Sequence, residues 1–140
     1  MLLKDKQIFI VEDNPPNRVV FQMALVRHGA TVEFERSGYH TIYHLKQLPR
    51  IDLIILDLML ADSISGFEVF AEIRALPAHR KTPILAVSAM DAATAIPRAK
   101  LMGFSGFIPK PINMNTFAQQ LVRVMDGGTI WDVGQQVNSY

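Results

Sequence analysis

Short apolar runs that each end at a polar residue are the feature of this sequence that most constrains its fold. Leu53 to Leu56 is apolar throughout, and three similar runs occur elsewhere in the chain. Runs of this length are typical of strands buried on both faces of a parallel sheet. The residues that follow the four runs are Glu12-Asp13, Asp57, Ser88 and Lys110. Because parallel strands end at one edge of an open α/β sheet, where ligands bind, we expect these side chains to converge there.

Strand and helix patterns alternate five times along the chain, which predicts a doubly wound parallel α/β sheet. The predicted strands are Gln7 to Val11, Thr31 to Glu35, Leu53 to Leu56, Ile84 to Val87 and Gly106 to Ile108. The predicted helices are Pro16 to His28, Gly38 to Gln47, Gly66 to Ala75, a fourth that ends near Met102, and Asn113 to Met125. Right-handed crossovers would place these helices on both faces of the sheet.

Pro97 lies inside the fourth helical pattern. Proline destabilises a helix interior by about 3 kcal/mol but is tolerated in the first turn. We therefore expect this helix to start late, near Ile96 or Pro97, with Asp91 to Ala95 forming a loop.

A chain of 140 residues fits one domain. We expect residues 1–126 to form that domain and residues 127–140 to form a partly ordered C-terminal tail, too short for an output domain. Trp131 is expected either to pack back on the domain or to contact a partner. Packing is favoured, since large apolar side chains are usually buried.

The composition argues against several classes of protein. The 14 basic residues are scattered and nearly balanced by 13 acidic ones, which argues against direct nucleic-acid binding. The absence of cysteine excludes disulfides and thiolate metal sites and is compatible with a reducing cytoplasm. No segment approaches about 18 continuous apolar residues, so we expect a soluble cytoplasmic protein that does not enter a membrane.

The predicted cluster of carboxylates, a hydroxyl and an ammonium suits phosphoryl transfer to a carboxylate. Mg²⁺ with oxygen ligands would offset the repulsion between the acids. A carboxylate can attack phosphorus to form an aspartyl phosphate. A lysine and a hydroxyl can stabilise the charge on the transferring phosphoryl group.

Four motifs in this order resemble the receiver domain of two-component response regulators, over about Lys4 to Met125. The motifs are Val11-Glu12-Asp13-Asn14, Leu56-Asp57-Leu58-Met59, Val87-Ser88-Ala89, and Phe107 followed by Pro109-Lys110-Pro111. The resemblance implies a flavodoxin-like fold, with a five-stranded parallel sheet of order 2-1-3-4-5 and five helices. It also implies a phosphoacceptor that is not an enzyme and has no catalytic residues of its own.

The resemblance assigns a role to each residue of the cluster. Asp57 would be the phosphoacceptor, and Ser88, the Ala89 amide and Lys110 would hold the phosphoryl oxygens. The residues implied to bind Mg²⁺ are Glu12, Asp13, Asp57 and, through its backbone carbonyl, Met59. The Lys110-Pro111 bond would be cis, so that the lysine side chain reaches the acids.

The resemblance further implies a switch and two kinds of partner. Phe107 occupies the place of an aromatic residue that turns inward on phosphorylation, and because it lacks a hydroxyl its inward state should depend on packing alone. The phosphoryl donor would be a sensor histidine kinase or a phosphotransfer protein. A downstream protein partner would contact the face formed by the fourth helix, fifth strand and fifth helix.

The loop after Asp57 departs from the family pattern. Ala61 replaces the usual proline, and Gly66 follows Asp57 by nine residues rather than eight. Residues 60–65 should therefore form a longer and less rigid loop. The sequence does not predict the geometry of this loop or its effect on the dephosphorylation rate. Asp62 within the loop is not predicted to have a functional role.

Other functions are disfavoured by particular residues. An aspartate-nucleophile phosphatase usually carries a second acid two residues after the nucleophile, where this chain has Met59. A degenerate receiver that only docks partners would be expected to lack Asp57 or Lys110. Ser88 lies outside a Gly-x-Ser-x-Gly elbow, which argues against a hydrolase. The His40/His44 pair has metal-ligand spacing but is better interpreted as the exposed face of the second helix.

Overall fold

The computed structural model describes residues 1–134, which form a six-stranded parallel sheet flanked by helices. The strand order is β2-β1-β3-β4-β5-β6. The strands are β1 (Gln7–Val11), β2 (Thr31–Glu35), β3 (Leu53–Leu56), β4 (Ile84–Ser88), β5 (Gly106–Pro109) and β6 (Ile130–Trp131). The helices are α1 (Pro15–Val26), α2 (Thr41–Lys46), α3 (Gly66–Arg74), α4 (Ala92–Met102) and α5 (Phe117–Met125), with a short 3-10 helix at Pro77–His79.

Each face of the sheet carries its own hydrophobic core. Alternate residues of a strand point to opposite faces, so Ile54 packs in one core and Ile55 in the other. The first core includes buried residues of α2, α3 and α4, whereas the second includes those of α1 and α5. This arrangement confirms the doubly wound fold, and in residues 1–134 no helix is both long and apolar enough to span a membrane.

The start of α4 differs from the sequence prediction. The helix begins at Ala92, and the Asp91 carbonyl accepts hydrogen bonds from the amides of Thr94 (3.1 Å) and Ala95 (2.9 Å). Pro97 lies inside the helix with its ring on the exposed side, while Ala95 is fully buried. The prediction that residues 91–95 form a loop is therefore wrong. Burial of the first turns against the core offsets the one backbone hydrogen bond that proline removes.

The segment after α5 also differs, because it adds a sixth strand to the sheet. Ile130 pairs with Gly106 and Trp131 with Phe107, both in parallel register. The ring of Trp131 packs against the first core, and Lys100 Nζ lies 5.2 Å from its centroid. Packing of Trp131 on the domain is thus confirmed, and the expected partly ordered tail includes a short strand at Ile130–Trp131. Residues 135–140 of the predicted tail lie outside the described residues.

Candidate functional site

Four parallel strands bring the polar residues of the sequence motifs to one edge of the sheet. Val11 pairs with Leu56 at the ends of β1 and β3, which places Glu12 beside Asp57. Ser88 pairs with Pro109 at the ends of β4 and β5, and the Lys110 amide donates to the Ser88 carbonyl (3.0 Å). The predicted convergence is confirmed for Glu12, Asp13, Asp57 and Lys110.

Three carboxylates and one ammonium form the centre of this edge. One carboxylate oxygen from each of Glu12, Asp13 and Asp57 lies within 4.8 Å of the others. Glu12 and Asp57 are buried, and Asp13 is partly exposed. Lys110 Nζ lies 2.6 Å from Asp57 Oδ2 and 2.5 Å from Glu12 Oε1. The Lys110-Pro111 bond is cis, as the resemblance implied.

Burial and pairing act in opposite directions on the ionisable groups. Burial raises the pKa of Glu12 above its ordinary value, although the contacts with Lys110 and the Asn14 amide oppose this rise. Burial lowers the pKa of Lys110, but its contacts with the Asp57 and Glu12 carboxylates more than compensate, so the pKa is raised. Lys110 therefore remains an ammonium at neutral pH, whereas Glu12 ionises less readily than a free glutamate.

The carboxylate oxygens fit a hard divalent cation. Glu12 Oε1 is buried and lacks a donor with hydrogen-bond geometry, because its contact with Lys110 is a close ion pair without that geometry. One lysine cannot neutralise three carboxylates, and Mg²⁺ is typically bound through carboxylates and water. The three acids therefore suit Mg²⁺ by charge, ligand type and mutual distance.

Backbone amides of the loop after β3 orient two of these acids. The Met59 amide donates to Asp57 Oδ1 (2.9 Å), and the Ala61 amide donates to Asp13 Oδ2 (2.7 Å). Each carboxylate thus keeps one oxygen fixed by the loop. The Met59 side chain itself points into solvent, and it is more than half exposed.

The longer loop at residues 60–65 contacts the segment between β2 and α2. Asp62 Oδ2 accepts a hydrogen bond from the Ser37 hydroxyl (2.8 Å), and Ile64 is buried. Ile64 packs so close to Gly38 that a Cβ at residue 38 would overlap it. Burial alone would raise the pKa of Asp62, but the Ser37 hydroxyl and the Tyr39 amide lower it overall. The contacts of Asp62 with Ser37 and Tyr39 are features that the sequence did not reveal.

Ser88, Ala89 and Phe107 flank the acidic centre from β4 and β5. The Ser88 side chain is buried, and its Oγ accepts a hydrogen bond from the Met90 amide (3.2 Å). Ala89 is exposed and, with Lys110, lines a groove of about 330 Å³ that also includes Asn17, Val20 and Phe21. Phe107 is fully buried in the first core.

His40 and His44, at the start of α2 and within it, lie in different environments. His40 is exposed, whereas His44 Nδ1 lies 3.0 Å from Glu35 Oε1 and its ring packs edge-on against Phe9. The exposed-face interpretation therefore holds for His40 and is wrong for His44. The contact crosses from α2 to β2, which helical spacing alone cannot show.

Comparisons with known proteins agree with this geometry. The profile of the response regulator receiver domain matches residues 8–122. The chain is 33% identical over 125 residues to the signal transduction histidine-protein kinase BarA of Shigella flexneri, with 88% of this chain and 13% of that protein covered. It is 29% identical over 116 residues to the polar-differentiation response regulator DivK of Brucella anthropi, covering 83% of this chain and 93% of DivK.

One similar solved structure contains magnesium. The receiver domain of sensor histidine kinase PA1611 from Pseudomonas aeruginosa, with a magnesium ion coordinated in its active-site cleft, superposes with a TM-score of 0.76. Its sequence is 27% identical, and the match covers 86% of this chain and 98% of that one. The family profile spans most of this sequence, and the acids and lysine of the family motifs meet at one edge of its sheet. This chain therefore belongs to the response regulator receiver domains and is a phosphoacceptor module of two-component signalling.

Proposed function

We propose that Asp57 accepts the phosphoryl group, and that the donor is a phosphohistidine on a histidine kinase or phosphotransfer protein. The observation that carries this proposal is the contact of 2.6 Å between Asp57 Oδ2 and Lys110 Nζ beside two further acids. Asp57 is the acid of that cluster whose carboxylate contacts both the Lys110 ammonium and the Met59 amide. In the transfer, a carboxylate oxygen of Asp57 forms a bond to phosphorus. The bond between phosphorus and the imidazole nitrogen breaks, and its electron pair stays with the imidazole.

The surrounding residues would stabilise the charge on the phosphoryl oxygens. Lys110 is an ammonium within reach of Asp57 and can pair with an incoming oxygen as a point charge. The Ser88 hydroxyl would turn from the Met90 amide toward the phosphoryl group and donate to it. Ala89 is small and exposed, which leaves its backbone amide open to another oxygen.

We further propose that Glu12, Asp13, Asp57 and the Met59 carbonyl hold Mg²⁺. When bound, the ion would neutralise charge on the carboxylates and on the phosphoryl group. The loop amides of Met59 and Ala61 would keep the acids turned toward that position. Met59 stands two residues after Asp57, where aspartate-nucleophile phosphatases usually carry a second acid, so we expect no turnover of phosphate esters as an enzyme.

The exposed apolar face of α1 supports a protein donor. Val19, Met23 and Val26 are exposed at helical spacing on this face, with Met23 61% exposed. Val20 joins the face to the groove that contains Ala89 and Lys110. A donor protein with an apolar surface could cover α1 while presenting its phosphohistidine to Asp57. This transfer would take place in the cytoplasm.

Direct labelling tests the acceptor. The protein is incubated with Mg²⁺ and acetyl phosphate, and the acid-stabilised adduct is mapped by mass spectrometry. We expect the adduct on Asp57, with no labelling of Asp57→Asn and normal labelling of Asp126→Asn, which removes an exposed acid after α5. Equal labelling of Asp57→Asn would contradict the proposal.

A second variant tests the donor surface separately. Met23→Glu places a charge on the apolar face of α1 while leaving the acidic centre intact. Transfer from a purified phosphorylated kinase should slow, whereas labelling by acetyl phosphate should stay unchanged. If both rates stay unchanged, the donor does not use α1.

A further inference from the structure

Strand β6 covers the edge of β5, next to the face through which receiver domains are expected to signal. The Ile130 amide donates to the Ser105 carbonyl (3.2 Å), and the Asp132 amide donates to the Phe107 carbonyl (2.9 Å). These are backbone acceptors that a partner protein at this edge would otherwise contact. Strand β6 thus already occupies these two acceptors.

The position of β6 is specified by glycines. A Cβ at residue 106 would overlap the Ile130 carbonyl oxygen, so glycine is needed for β6 to lie this close to β5. Gly127 adopts a φ of 95° and ends α5, and the Gly128 amide donates to the Arg123 carbonyl (2.9 Å). This turn directs the chain back along β5, so that β6 becomes the last strand of the sheet.

Trp131 connects β6 to α4. Lys100 of α4 places its ammonium 5.2 Å from the centroid of the indole ring, within the range of a cation–π interaction. The ring also packs against the core that contains Phe107. A displacement of α4 would therefore weaken the contacts that hold β6.

The start of α4 is connected to the phosphoacceptor region through Ser88. The Ser88 hydroxyl accepts from the Met90 amide, and the Asp91 carbonyl accepts from the Ala95 amide in the first turn of α4. Rotation of Ser88 toward a phosphoryl oxygen would release the Met90 amide. The loop from Ala89 to Asp91 would then be free to move and to carry the start of α4 with it.

We propose that β6 is an intramolecular cover of the α4–β5–α5 face, and that phosphorylation of Asp57 loosens it. This inference rests on the proposed function. In the covered state Ser88 binds the Met90 amide and Trp131 stays on α4. In the open state Ser88 binds the phosphoryl group, α4 has shifted, and the β5 edge is free for a downstream protein. Because coupling is reciprocal, a docked β6 must also disfavour phosphorylation.

Amide hydrogen exchange measured by NMR tests the opening directly. Beryllofluoride with Mg²⁺ serves as the phosphoryl mimic. We expect the amides of Ile130 and Asp132 to exchange about tenfold faster with the mimic, because local opening governs their exchange. The amide of Thr31 in the strand at the opposite edge of the sheet, which donates to the Lys6 carbonyl (2.9 Å), should not change. Trp131 is the single tryptophan of the chain, so its emission should shift toward that of an exposed indole.

Two matched variants test the reciprocal effect. Trp131→Ala removes the contact with α4, whereas Leu101→Ala removes a side chain that is 90% exposed on the same helix. Trp131→Ala should bind beryllofluoride about fivefold more tightly, the lower range of typical allosteric coupling. Leu101→Ala should match the parent. If Trp131→Ala does not fold, Lys100→Met removes the cation alone and should shift affinity in the same direction.

The outcomes separate this inference from the proposed function. If Asp57 takes up the phosphoryl group but exchange at Ile130 and Asp132 is unaltered, the cover is refuted and the phosphoacceptor role stands. Equal beryllofluoride affinity in Trp131→Ala and the parent would also refute it. If Asp57 forms no adduct at all, both proposals fail.

Discussion

Replacing Asp13 with Asn should stabilise the protein in the absence of metal. Asp13 lies within 4.8 Å of carboxylate oxygens of both Glu12 and Asp57. At that distance each like-charge pair repels by about 0.9 kcal/mol in water and by about 3.5 kcal/mol at an effective dielectric constant of 20. Because Asp13 is partly exposed, the lower value applies. Attraction between Asp13 and Lys110 cancels part of the summed repulsion from the two pairs. The expected gain in the free energy of unfolding is about 1 kcal/mol.

The asparagine keeps the geometry of the site while removing its charge. Its side-chain oxygen can still accept the hydrogen bond from the Ala61 amide, which Asp13 accepts at 2.7 Å. Mg²⁺ stabilises the folded state according to its affinity, by about 2.7 kcal/mol at a concentration of 100 times Kd. Asp13→Asn should lose much of this increment because one anionic ligand is gone.

Urea unfolding in EDTA and in excess Mg²⁺ measures both effects. Glu72→Gln is the matched control, since it removes an exposed carboxylate on α3 far from the acidic edge. Its response to Mg²⁺ should equal that of the parent. The electrostatic account of the site is refuted if Asp13→Asn is less stable than the parent in EDTA, or if Mg²⁺ stabilises the variant as much as it stabilises the parent.

Three further predictions concern the pH dependence, the loop and α4. Because burial raises the folded-state pKa of Glu12, metal-free stability should fall as pH rises above about 4.5, and Glu12→Gln should flatten that fall in urea titrations. Ser37→Ala and Asp62→Ala should each lower the free energy of unfolding by about 1 kcal/mol, and a double-mutant cycle should show that the two decreases are not additive. Pro97→Ala should raise the thermal midpoint by restoring a hydrogen bond in α4, with a gain of about 1 to 3 kcal/mol. An unchanged or lower midpoint would show that α4 depends on the proline.

The sequence predicted correctly those parts of the fold that the local pattern of apolar and polar residues specifies. The apolar run before Asp57 identifies β3 by itself, and parallel strands necessarily bring their ends to one edge. Glu12, Asp57 and Lys110 could therefore be grouped before any coordinates were known. Their contacts of 2.5 and 2.6 Å follow from the register of the strands that precede them.

The features that sequence missed depend on contacts between distant residues. Strand β6 has only two residues, and its strand character comes from pairing with Gly106, 24 positions earlier. The hydrogen bond between Ser37 and Asp62 spans 25 positions. The helical start before Pro97 reflects burial of Ala95, which outweighs local propensity. In each case tertiary packing decides a conformation that the local residues leave open.

The anchored loop after β3 links these missed contacts to the chemistry of the site. The Ala61 amide binds the Asp13 carboxylate, and the next residue, Asp62, binds Ser37. The longer loop is thus held at two adjacent residues, by Ala61 at the acidic centre and by Asp62 at the start of the segment leading to α2. Loss of the outer anchor would leave the Ala61 amide less well placed, so the orientation of Asp13 depends on a hydrogen bond outside the site. The loop therefore acts as a structural part of the acidic centre and not as a spacer between β3 and α3.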